Sequence, residues 1–303
     1  YKIPTAAYET FTDEKKAISY IKKKKKYPLV IKADGLASGK GVVIAETEEQ
    51  AVQAVRDMLE GKTFGSAGEA VVIEEFMEGE EASVLCFTDG TTIVPMISAQ
   101  DHKRIGDGDM GANTGGMGAY APAPVMTKEL DKIVYDTILL PAVKAMKKEG
   151  CPFRGCLYAG LMITKEGPKV VEFNCRFGDP ETEAVLPLLE SDLARIMLAC
   201  AKGTLKKEKV EWKNACAVDV VLASEGYPAT HSSGEEIVGL EEAKKTGCLV
   251  FHAGSMKKKG RYFVNGGRVL NVAAVAPTLK EARDKAYEGV SKISWRGMQY
   301  LSL

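Results

Sequence analysis

The chain has 303 residues, of which 45% are hydrophobic and 27% are charged, as in an ordinary soluble globular protein. Lys plus Arg and Asp plus Glu each total 41, so the net charge is near zero and argues against a general nucleic-acid or membrane-surface role. The length predicts two or three domains with a sizeable core. No apolar run reaches transmembrane length and the N-terminus is not signal-like, so we expect a cytoplasmic location.

Neither the cysteines nor the one run of like charge indicates a zinc site or a macromolecular partner. The seven cysteines are scattered and none forms the CxxC spacing of a metal or redox pair. The run Lys22–Lys26 is best explained as the solvated end of a helix, with a phosphate or RNA patch as the lesser alternative. We therefore expect small-molecule partners, with no nucleic acid and no membrane.

The first third of the chain alternates between helix and strand patterns. Thr12 is expected to cap a helix that runs to about Lys25. The apolar run 29–32 predicts a buried strand, which passes through the glycine-rich turn 35–41 directly into a second strand at 42–44. Because strand and turn lead into another strand, the pattern predicts a hairpin and not a strand-to-helix phosphate loop.

The middle third contains two hairpin patterns and a glycine-rich stretch between them. Asp89-Gly90 is a strong turn signal for the first hairpin, and the second turns near Glu166-Gly167. The stretch 106–118 is too polar for a core, so we predict a functional surface loop. A helix of about 20 residues follows Thr127, and Pro141 is expected to kink or end it.

The last third has a different character from the rest. Strand-like runs at 217–223 and 269–275 alternate there with short helices. We therefore predict a separate C-terminal domain that starts between Leu205 and Cys216.

A lysine at the end of the first buried strand opens the first chemically useful cluster. Glycines let backbone N–H groups approach phosphate oxygens closely, and lysines neutralise phosphate charge. The cluster is not a Walker A motif, because that motif fails at Gly41. A glycine-rich hairpin with lysines placed by chance explains these residues equally well. The candidate residues are Lys32, Gly35, Ser38, Gly39, Lys40 and Gly41.

The second cluster follows the buried strand at 71–73. Carboxylates can accept from an adenine amino group or from ribose hydroxyls, and apolar side chains can line an adenine slot. The candidates are Glu74, Glu75, Phe76, Met77 and Glu81. Taken alone, these residues fit a solvated acidic turn better than a ligand site.

The third cluster comes after the strand of the second hairpin. On a strand, Glu172 and Asn174 point to the same face, where two oxygen ligands can hold Mg²⁺. Arg176 can reach a transferring phosphoryl group, and Asp179 follows closely. So many charged residues after a buried strand favour a functional explanation over a structural one.

The fourth cluster adjoins the glycine-rich stretch. His102 alone is more often a surface residue than a catalytic one, but here it stands beside Asp101, Lys103 and Arg104. A basic group before a glycine loop favours a site for an anionic ligand. The loop residues are Asn113, Thr114, Gly115, Gly116, Met117 and Gly118.

The order of the four clusters resembles that of ATP-grasp enzymes. In those proteins a glycine-rich hairpin closes over the phosphates, a hinge strand binds adenine and a Glu-x-Asn pair binds magnesium. Residues 176–185, together with 100–104 and 113–124, are similar to the motifs of the glycinamide ribonucleotide synthetase family. The resemblance covers nearly the whole chain.

This resemblance implies the fold class and its division into domains. The expected fold is α+β, an ATP-grasp fold of two α+β subdomains that sandwich ATP, followed by a small C-terminal α/β-type domain. Residues 1–77 would form one subdomain with the lid hairpin and hinge strand, and residues 78–207 the other, with the metal and substrate site. Residues 208–303 would form the C-terminal domain.

The resemblance also implies the role of each candidate residue. Lys32 and the loop 35–41 would contact ATP phosphates, residues 74–77 the adenine, and Glu81 the ribose. Glu172 and Asn174 would hold Mg²⁺ or Mn²⁺. The catalytic set would be Arg176, Asp179, Lys103 and Arg104. The substrate set would be Asp101, His102 and residues 113–118.

The implied reaction joins glycine to phosphoribosylamine at the expense of ATP, through an acyl phosphate. The family has an N-terminal domain of about a hundred residues that helps to hold the amine, and we expect this chain to be a fragment without it. In some organisms the activity is fused to later purine-pathway enzymes. Two alternatives remain: a truncated form that binds nucleotide without turnover, and a different ATP-grasp carboxylate–amine ligase.

Overall fold

The structure is a computed structural model that describes residues 1–35, 41–59 and 69–302. The chain folds into two compact units. The smaller unit comprises residues 4–79 and 164–171, and the larger unit comprises residues 1–3, 80–163 and 172–303. Within the described ranges, no helix has the length and apolar character needed to span a membrane.

The smaller unit is a four-stranded antiparallel sheet with two helices. Its strands pair in the order β1-β4-β2-β3. The bounds are β1 Tyr8–Phe11, α1 Glu14–Lys24, β2 Leu29–Ala33, β3 Val42–Ala45, α2 Glu48–Leu59 and β4 Val71–Glu75. Alternation along β2 buries Leu29 and Ile31 against both helices and leaves Val30 and Lys32 on the opposite face.

The predicted hairpin at β2 and β3 is confirmed by the pairing of Lys32 with Val42. The predicted helix also forms, but its cap is Asp13 and not Thr12. The Asp13 carboxylate accepts a hydrogen bond from the Lys16 N–H at 2.9 Å, which satisfies one of the free amides of the first turn. Asp is as good a cap as Thr. Asp13 caps the helix because it directly precedes Glu14, the first helical residue.

The larger unit contains most of the strands. The segment that starts at residue 80 contains β5 Glu80–Thr88, β6 Ile93–Pro95, β7 Gln100–Asp101, β8 Arg104–Gly106, β9 Met110–Asn113, β10 Gly118–Ala121 and β11 Gly155–Thr164. Strand β12 Gly167–Asn174 follows and passes from the smaller unit into the larger one. Both predicted hairpins, β5–β6 and β11–β12, are present, and the sheet order is β12-β11-β5-β6.

Two predictions in this region need correction. The stretch 106–118 is not an irregular loop throughout, because β8 and β9 pair as a hairpin and β10 begins at Gly118. Of the two outcomes expected at Pro141, a kink or an end, the second is wrong, because the helix capped by Thr127 continues past it. It runs as α3 Lys128–Val134, a π-helical turn Tyr135–Leu139 and α4 Leu140–Lys148. Proline has no N–H to donate, and a π turn just before it lets the helical path continue.

The remaining elements complete the larger unit. They are α5 Glu181–Val185, α6 Leu193–Lys202, β13 Cys216–Ala223, β14 Ser233–Ile237, α7 Leu240–Lys245, β15 Leu249–His252, β16 Ser255–Lys258, β17 Arg261–Asn265, β18 Arg268–Ala276 and α8 Leu279–Val290. A five-stranded sheet has the order β15-β18-β13-β10-β7, so it combines strands from both sides of residue 208. Helix α8 covers β13 and β18 with Ala282, Ala286 and Val290.

The central strand β13 carries an acidic residue inside this unit. Asp219 has no exposed surface, and neither of its carboxylate oxygens has a hydrogen-bond partner among the described residues. Burial raises its pKa well above the usual value, and Glu183 and Asp179 raise it further. Burial likewise raises the pKa of Glu183 on α5 to about 7, with Asp179 adding to the effect and Arg268 opposing it. The neutral form is therefore favoured for Asp219 well above its usual range, and for Glu183 up to about pH 7.

This raised pKa predicts a pH-dependent effect of Glu183→Gln. In the unfolded chain Glu183 ionises near pH 4.5, whereas in the fold it holds its proton to about pH 7. Its contribution to the free energy of unfolding is therefore undiminished below pH 4.5, falls as the pH rises, and is lowest above pH 7. The variant should gain up to about 2 kcal/mol over the parent at pH 8 and little at pH 4.5.

Urea denaturation at both pH values measures the difference, with the exposed Glu190→Gln as the matched control. An equal effect of Glu183→Gln at the two pH values would contradict the prediction.

Candidate functional site

In the smaller unit, Lys32 is held by a carboxylate on the neighbouring strand. Residue 30 of β2 lies opposite Glu74 of β4, which makes Lys32 and Glu74 diagonal neighbours on one face. Lys32 Nζ lies 2.7 Å from Glu74 Oε2 and donates to the Val171 carbonyl at 3.4 Å. Because only 21% of the lysine and 17% of the glutamate side chain is exposed, the pair presents one oriented ammonium group and not a freely moving charge.

The end of β4 places the other predicted hinge residues in succession. Glu75 Oε1 accepts from the Ala7 N–H at 3.1 Å and lies 3.8 Å from Lys169 Nζ. Phe76 and Met77 follow, half-buried. Of the predicted hairpin turn, the structure describes Gly35 and Gly41, and the Gly41 carbonyl accepts from Ala33 N–H at 2.9 Å. The predictions for Ser38, Gly39 and Lys40 lie outside the described residues.

In the larger unit, Lys103 lies among carboxylates. It forms an ion pair with Glu81, the residue predicted to hold a ribose. Desolvation lowers the pKa of Lys103, but the carboxylates of Asp101 and Glu81 outweigh it and keep the pKa above its usual value. Burial raises the pKa of Asp101 to about 7, with Lys103 opposing the rise and Glu181 and Glu81 adding to it. Asp101 is thus a carboxyl that can gain or lose a proton near neutral pH.

The predicted metal pair stands at the end of β12. As expected for residues two apart on a strand, Glu172 and Asn174 share a face, and Asn174 Nδ2 donates to Glu172 Oε1 at 2.8 Å. Within the described residues no three His, Cys, Asp or Glu side chains come together as a metal cage. A site with only two oxygen-bearing side chains fits Mg²⁺, because Mg²⁺ takes its other ligands from water and phosphates. Rotating the amide would direct its oxygen beside that of Glu172.

The two charged residues that follow have different partners. Arg176 is exposed, and Nη1 donates to the neighbouring Phe177 carbonyl at 2.9 Å, which leaves the rest of the guanidinium free for an anion. Asp179 is tied down: its Oδ1 lies 3.1 Å from Arg268 Nη1, and its carbonyl accepts from the same nitrogen at 2.9 Å. The sequence motifs did not point to Arg268 as a site residue.

The residues around β8 and β9 divide into exposed groups and framework groups. Arg104 donates to the Gly111 carbonyl at 2.8 Å and so closes the hairpin. The His102 ring packs 5.4 Å from the Tyr120 ring, and burial lowers its pKa. Met117 has no exposed surface and packs with Ala223 in a small core cluster. Met117 therefore belongs to the framework, and its backbone N–H donates to the His102 carbonyl at 2.7 Å.

The loop from Asn113 to Gly118 is ordered by hydrogen bonds within it and to His102 and Lys103. Thr114 donates from N–H and hydroxyl to the Lys103 carbonyl at 2.7 and 2.9 Å, and its Oγ1 accepts from the Gly116 N–H at 2.9 Å. Asn113 is exposed and pairs with Arg104 across the hairpin. Gly118 opens β10 and accepts from the His102 N–H at 2.9 Å. The backbone N–H groups of residues 114–117 thus all donate to acceptors within the protein, so the loop forms a fixed border beside Lys103.

A buried polar group near this region, Glu181, lies within the motif 176–185 but was not among the predicted site residues. The Glu181 carboxylate, 3% exposed, accepts from Tyr158 at 2.7 Å and from Ser83 at 2.9 Å. A side chain at Gly178 would collide with Glu181, so glycine is required there. The signal available in the sequence was an acid directly after a proline within this motif. Its partners Ser83 and Tyr158 lie 98 and 23 residues away and carry no local signal.

Comparison with known proteins identifies the family of the chain. The family model of the phosphoribosylglycinamide synthetase ATP-grasp (A) domain matches residues 1–182, and that of the C domain of the same synthetase matches residues 217–301. The phosphoribosylamine–glycine ligase of Vibrio vulnificus is 49% identical over 98% of this chain and 70% of its own length. The trifunctional purine biosynthetic protein adenosine-3 of Gallus gallus is 54% identical over 98% of this chain, and the chain spans 30% of it.

Solved structures are similar over the same extent. The phosphoribosylamine–glycine ligase of Thermotoga maritima superposes with a TM-score of 0.88 at 38% identity, over 99% of this chain and 74% of that one. The biotin carboxylase domain of Hydrogenobacter thermophilus 2-oxoglutarate carboxylase has a TM-score of 0.73 at 17% identity, over 98% of this chain and 64% of that one, a likeness of fold alone. The predicted α+β ATP-grasp fold with a C-terminal domain is confirmed. The chain belongs to the phosphoribosylglycinamide synthetase family of ATP-grasp proteins.

Proposed function

We propose that this chain joins glycine to 5-phosphoribosylamine with ATP, giving glycinamide ribonucleotide, ADP and phosphate. The observation that carries the proposal is the similarity to phosphoribosylamine–glycine ligases over 98% of the chain. That similarity includes every segment in which the candidate site residues lie. The chain spans 70% of the length of the Vibrio relative and 30% of that of the chicken relative. The activity of the whole relatives is therefore a proposal for this chain. Fusion to further purine-pathway enzymes stays a prediction.

The candidate nucleotide residues are proposed to act on three parts of ATP. Lys32, oriented by Glu74, would neutralise phosphate charge, together with the hairpin 35–41. Glu74, Glu75, Phe76 and Met77 would contact adenine, in part through backbone groups. Glu81 would accept from the ribose while it stays paired with Lys103.

The reaction would proceed in two balanced steps. First a glycine carboxylate oxygen attacks the γ-phosphorus, the bond to the ADP oxygen breaks, and glycyl phosphate forms. Then the amine nitrogen of phosphoribosylamine attacks the glycyl carbonyl carbon, phosphate leaves, and the nitrogen loses a proton. Magnesium or manganese, when bound at Glu172 and Asn174, would supply charge neutralisation at the phosphates. Arg176 would bind the transferring phosphoryl group.

The remaining roles concern substrates and the proton. Asp101, with a pKa of about 7, is suited to accept the proton of the attacking amine near neutral pH. Lys103 beside it would bind the acyl phosphate and keep Asp101 oriented. The loop 113–118 would border the substrates, with its exposed residue Asn113 and with Asp179 facing them. Arg104 and His102 would support this region from the hairpin and from the Tyr120 contact.

Substrate-dependent ADP release tests the proposal directly. We expect sustained ADP release to require ATP, glycine and an amine acceptor, of which freshly generated phosphoribosylamine is the substrate. Hydroxylamine in place of the amine should trap the glycyl phosphate as glycine hydroxamate. ATP binding without any turnover would favour the nucleotide-binding but inactive alternative. ADP release with another acid–amine pair, and none with glycine, would favour a different ATP-grasp ligase.

Substitution of the metal pair should weaken metal-dependent nucleotide binding. Glu172→Gln removes the charged oxygen ligand, so the gain in ATP affinity on adding Mg²⁺ should fall by about tenfold, while metal-free ATP affinity stays unchanged. Calorimetric titration with and without Mg²⁺ measures both quantities. The exposed Glu242→Gln is the control. An unchanged magnesium-dependent gain would remove Glu172 from the metal site.

Replacement of Asp101 should alter the pH profile of turnover. If Asp101 accepts the amine proton, the parent kcat rises with pH through about 7 as the carboxyl ionises. Asp101→Asn should lower kcat and abolish this acid limb. The measurement is kcat from pH 5.5 to 8.5, with ATP affinity as the control for an intact site. Retention of the acid limb in the variant would exclude Asp101 as the proton acceptor.

A further inference from the structure

One guanidinium group connects two separate segments of the candidate site in the larger unit. Arg268, the first residue of β18, donates from Nη1 to the Gly115 carbonyl at 2.8 Å and lies 3.4 Å from the Gly116 carbonyl. The same nitrogen reaches the Asp179 carbonyl at 2.9 Å and its Oδ1 at 3.1 Å. The two connected segments are the loop 113–118 and the turn at Asp179, both proposed to face substrate.

The packing around this arginine is too close for side chains on the loop. A Cβ on Gly115 would lie 3.0 Å from Arg268 Cζ and Nη2, so the guanidinium lies flat against the glycine backbone. A Cβ on Gly116 would collide with the Pro180 ring, and Gly116 has φ +113°. Gly115 N–H also donates to the Tyr227 hydroxyl at 2.9 Å. The loop is therefore clamped from both sides.

The clamp is a strong one because it combines charge with burial. Only 22% of the Arg268 side chain is exposed, and hydrogen bonds from a charged donor are stronger than neutral ones. All the hydrogen-bond and ion-pair contacts of the clamp are made by the single nitrogen Nη1, so its position decides whether both segments are held. The clamping residues Arg268 and Tyr227 lie in the segment 217–301, while the clamped residues lie within 1–182.

We propose that Arg268 is a positioning residue for the ligation, which holds the loop 113–118 at a set distance from Asp179 so that glycine and the amine are bound in register. The proposal rests on the function proposed above. The contacts described for the nucleotide residues Lys32 and Glu74 are with each other and with Val171, and they do not include this clamp. Loss of the clamp should therefore weaken binding of glycine and of phosphoribosylamine while leaving ATP binding as it was.

Three variants and one control test this role. Arg268→Met removes the charge, Arg268→Lys keeps a charge on a side chain of different shape, and Gly115→Ala places a methyl group 3.0 Å from the guanidinium without altering its charge. Arg261→Met is the matched control, because Arg261 forms an exposed ion pair with Glu236 at 3.0 Å in the same unit. Hydrogen exchange of the peptide containing residues 113–118, the KM for each substrate and the Kd for ATP are measured for each variant.

The expected result is selective. Arg268→Met and Gly115→Ala should each raise exchange in the loop and the KM for glycine and amine by about tenfold, with the Kd for ATP unchanged. Arg268→Lys should recover part of the loss, and Arg261→Met should match the parent. Unchanged loop exchange and KM would overturn the proposal. Exchange increased throughout the larger unit, with ATP binding lost as well, would overturn it in favour of a purely structural role.

Failure of the proposed function and failure of this inference give different results. If the parent shows no turnover, the function fails, and glycine affinity measured by calorimetry with a non-hydrolysable ATP analogue replaces KM. Faster loop exchange together with weaker glycine binding in Arg268→Met would still support positioning. No change in either quantity would overturn it.

Discussion

The antiparallel pairing of β10 with β13 is the constraint on which the larger unit depends. Strand β10 also pairs with β7, so one run of backbone hydrogen bonds connects Asp101 to the C-terminal strands. Because paired strands lie about 4.8 Å apart, β18, the next strand in the sheet, comes within side-chain reach of the loop that precedes β10. Arg268 can therefore contact Gly116, although 152 residues separate them in the chain.

Burial of acids on and beside this sheet has two different outcomes. Glu181 is compensated, since two hydroxyl groups donate to its carboxylate. Asp219 has no donor among the described residues, so desolvation favours its protonated form. Glu183 lies between these cases, with Arg268 partly opposing the effect of burial. The same guanidinium that clamps the loop thus also moderates the acids behind it.

The candidate chemistry depends on orientation more than on reactive side chains. Lys32 is oriented by Glu74, Lys103 by Glu81, and Asn174 by Glu172, each through a contact within a single unit. Paired in this way, the cations and oxygen ligands lose little freedom when a nucleotide binds. This arrangement suits phosphoryl transfer, where catalysis comes chiefly from positioning and charge neutralisation.

The sequence alone determined the local elements and the candidate residues of the site. Period-two alternation predicted β2 and the shared face of Glu172 and Asn174, and the turn signal at Asp89-Gly90 predicted the β5–β6 hairpin. These predictions are confirmed because the signals behind them depend on residues within a few positions of each other. The helix cap at Asp13 was missed, since neighbouring caps compete, and the sequence left open whether Pro141 kinks or ends its helix, which continues through a π turn.

Only the tertiary structure decided which distant residues meet. The contacts of Arg268 with Gly115 and Asp179, and of Glu181 with Ser83, join segments whose separation follows from sheet order and not from local pattern. The burial of Met117 and Asp219 is likewise set by what packs over them. Local propensity depends on residues a few positions apart, whereas contact and desolvation depend on the whole fold. The candidate residues of the site could therefore be predicted from the sequence, but the clamp formed by Arg268 could not.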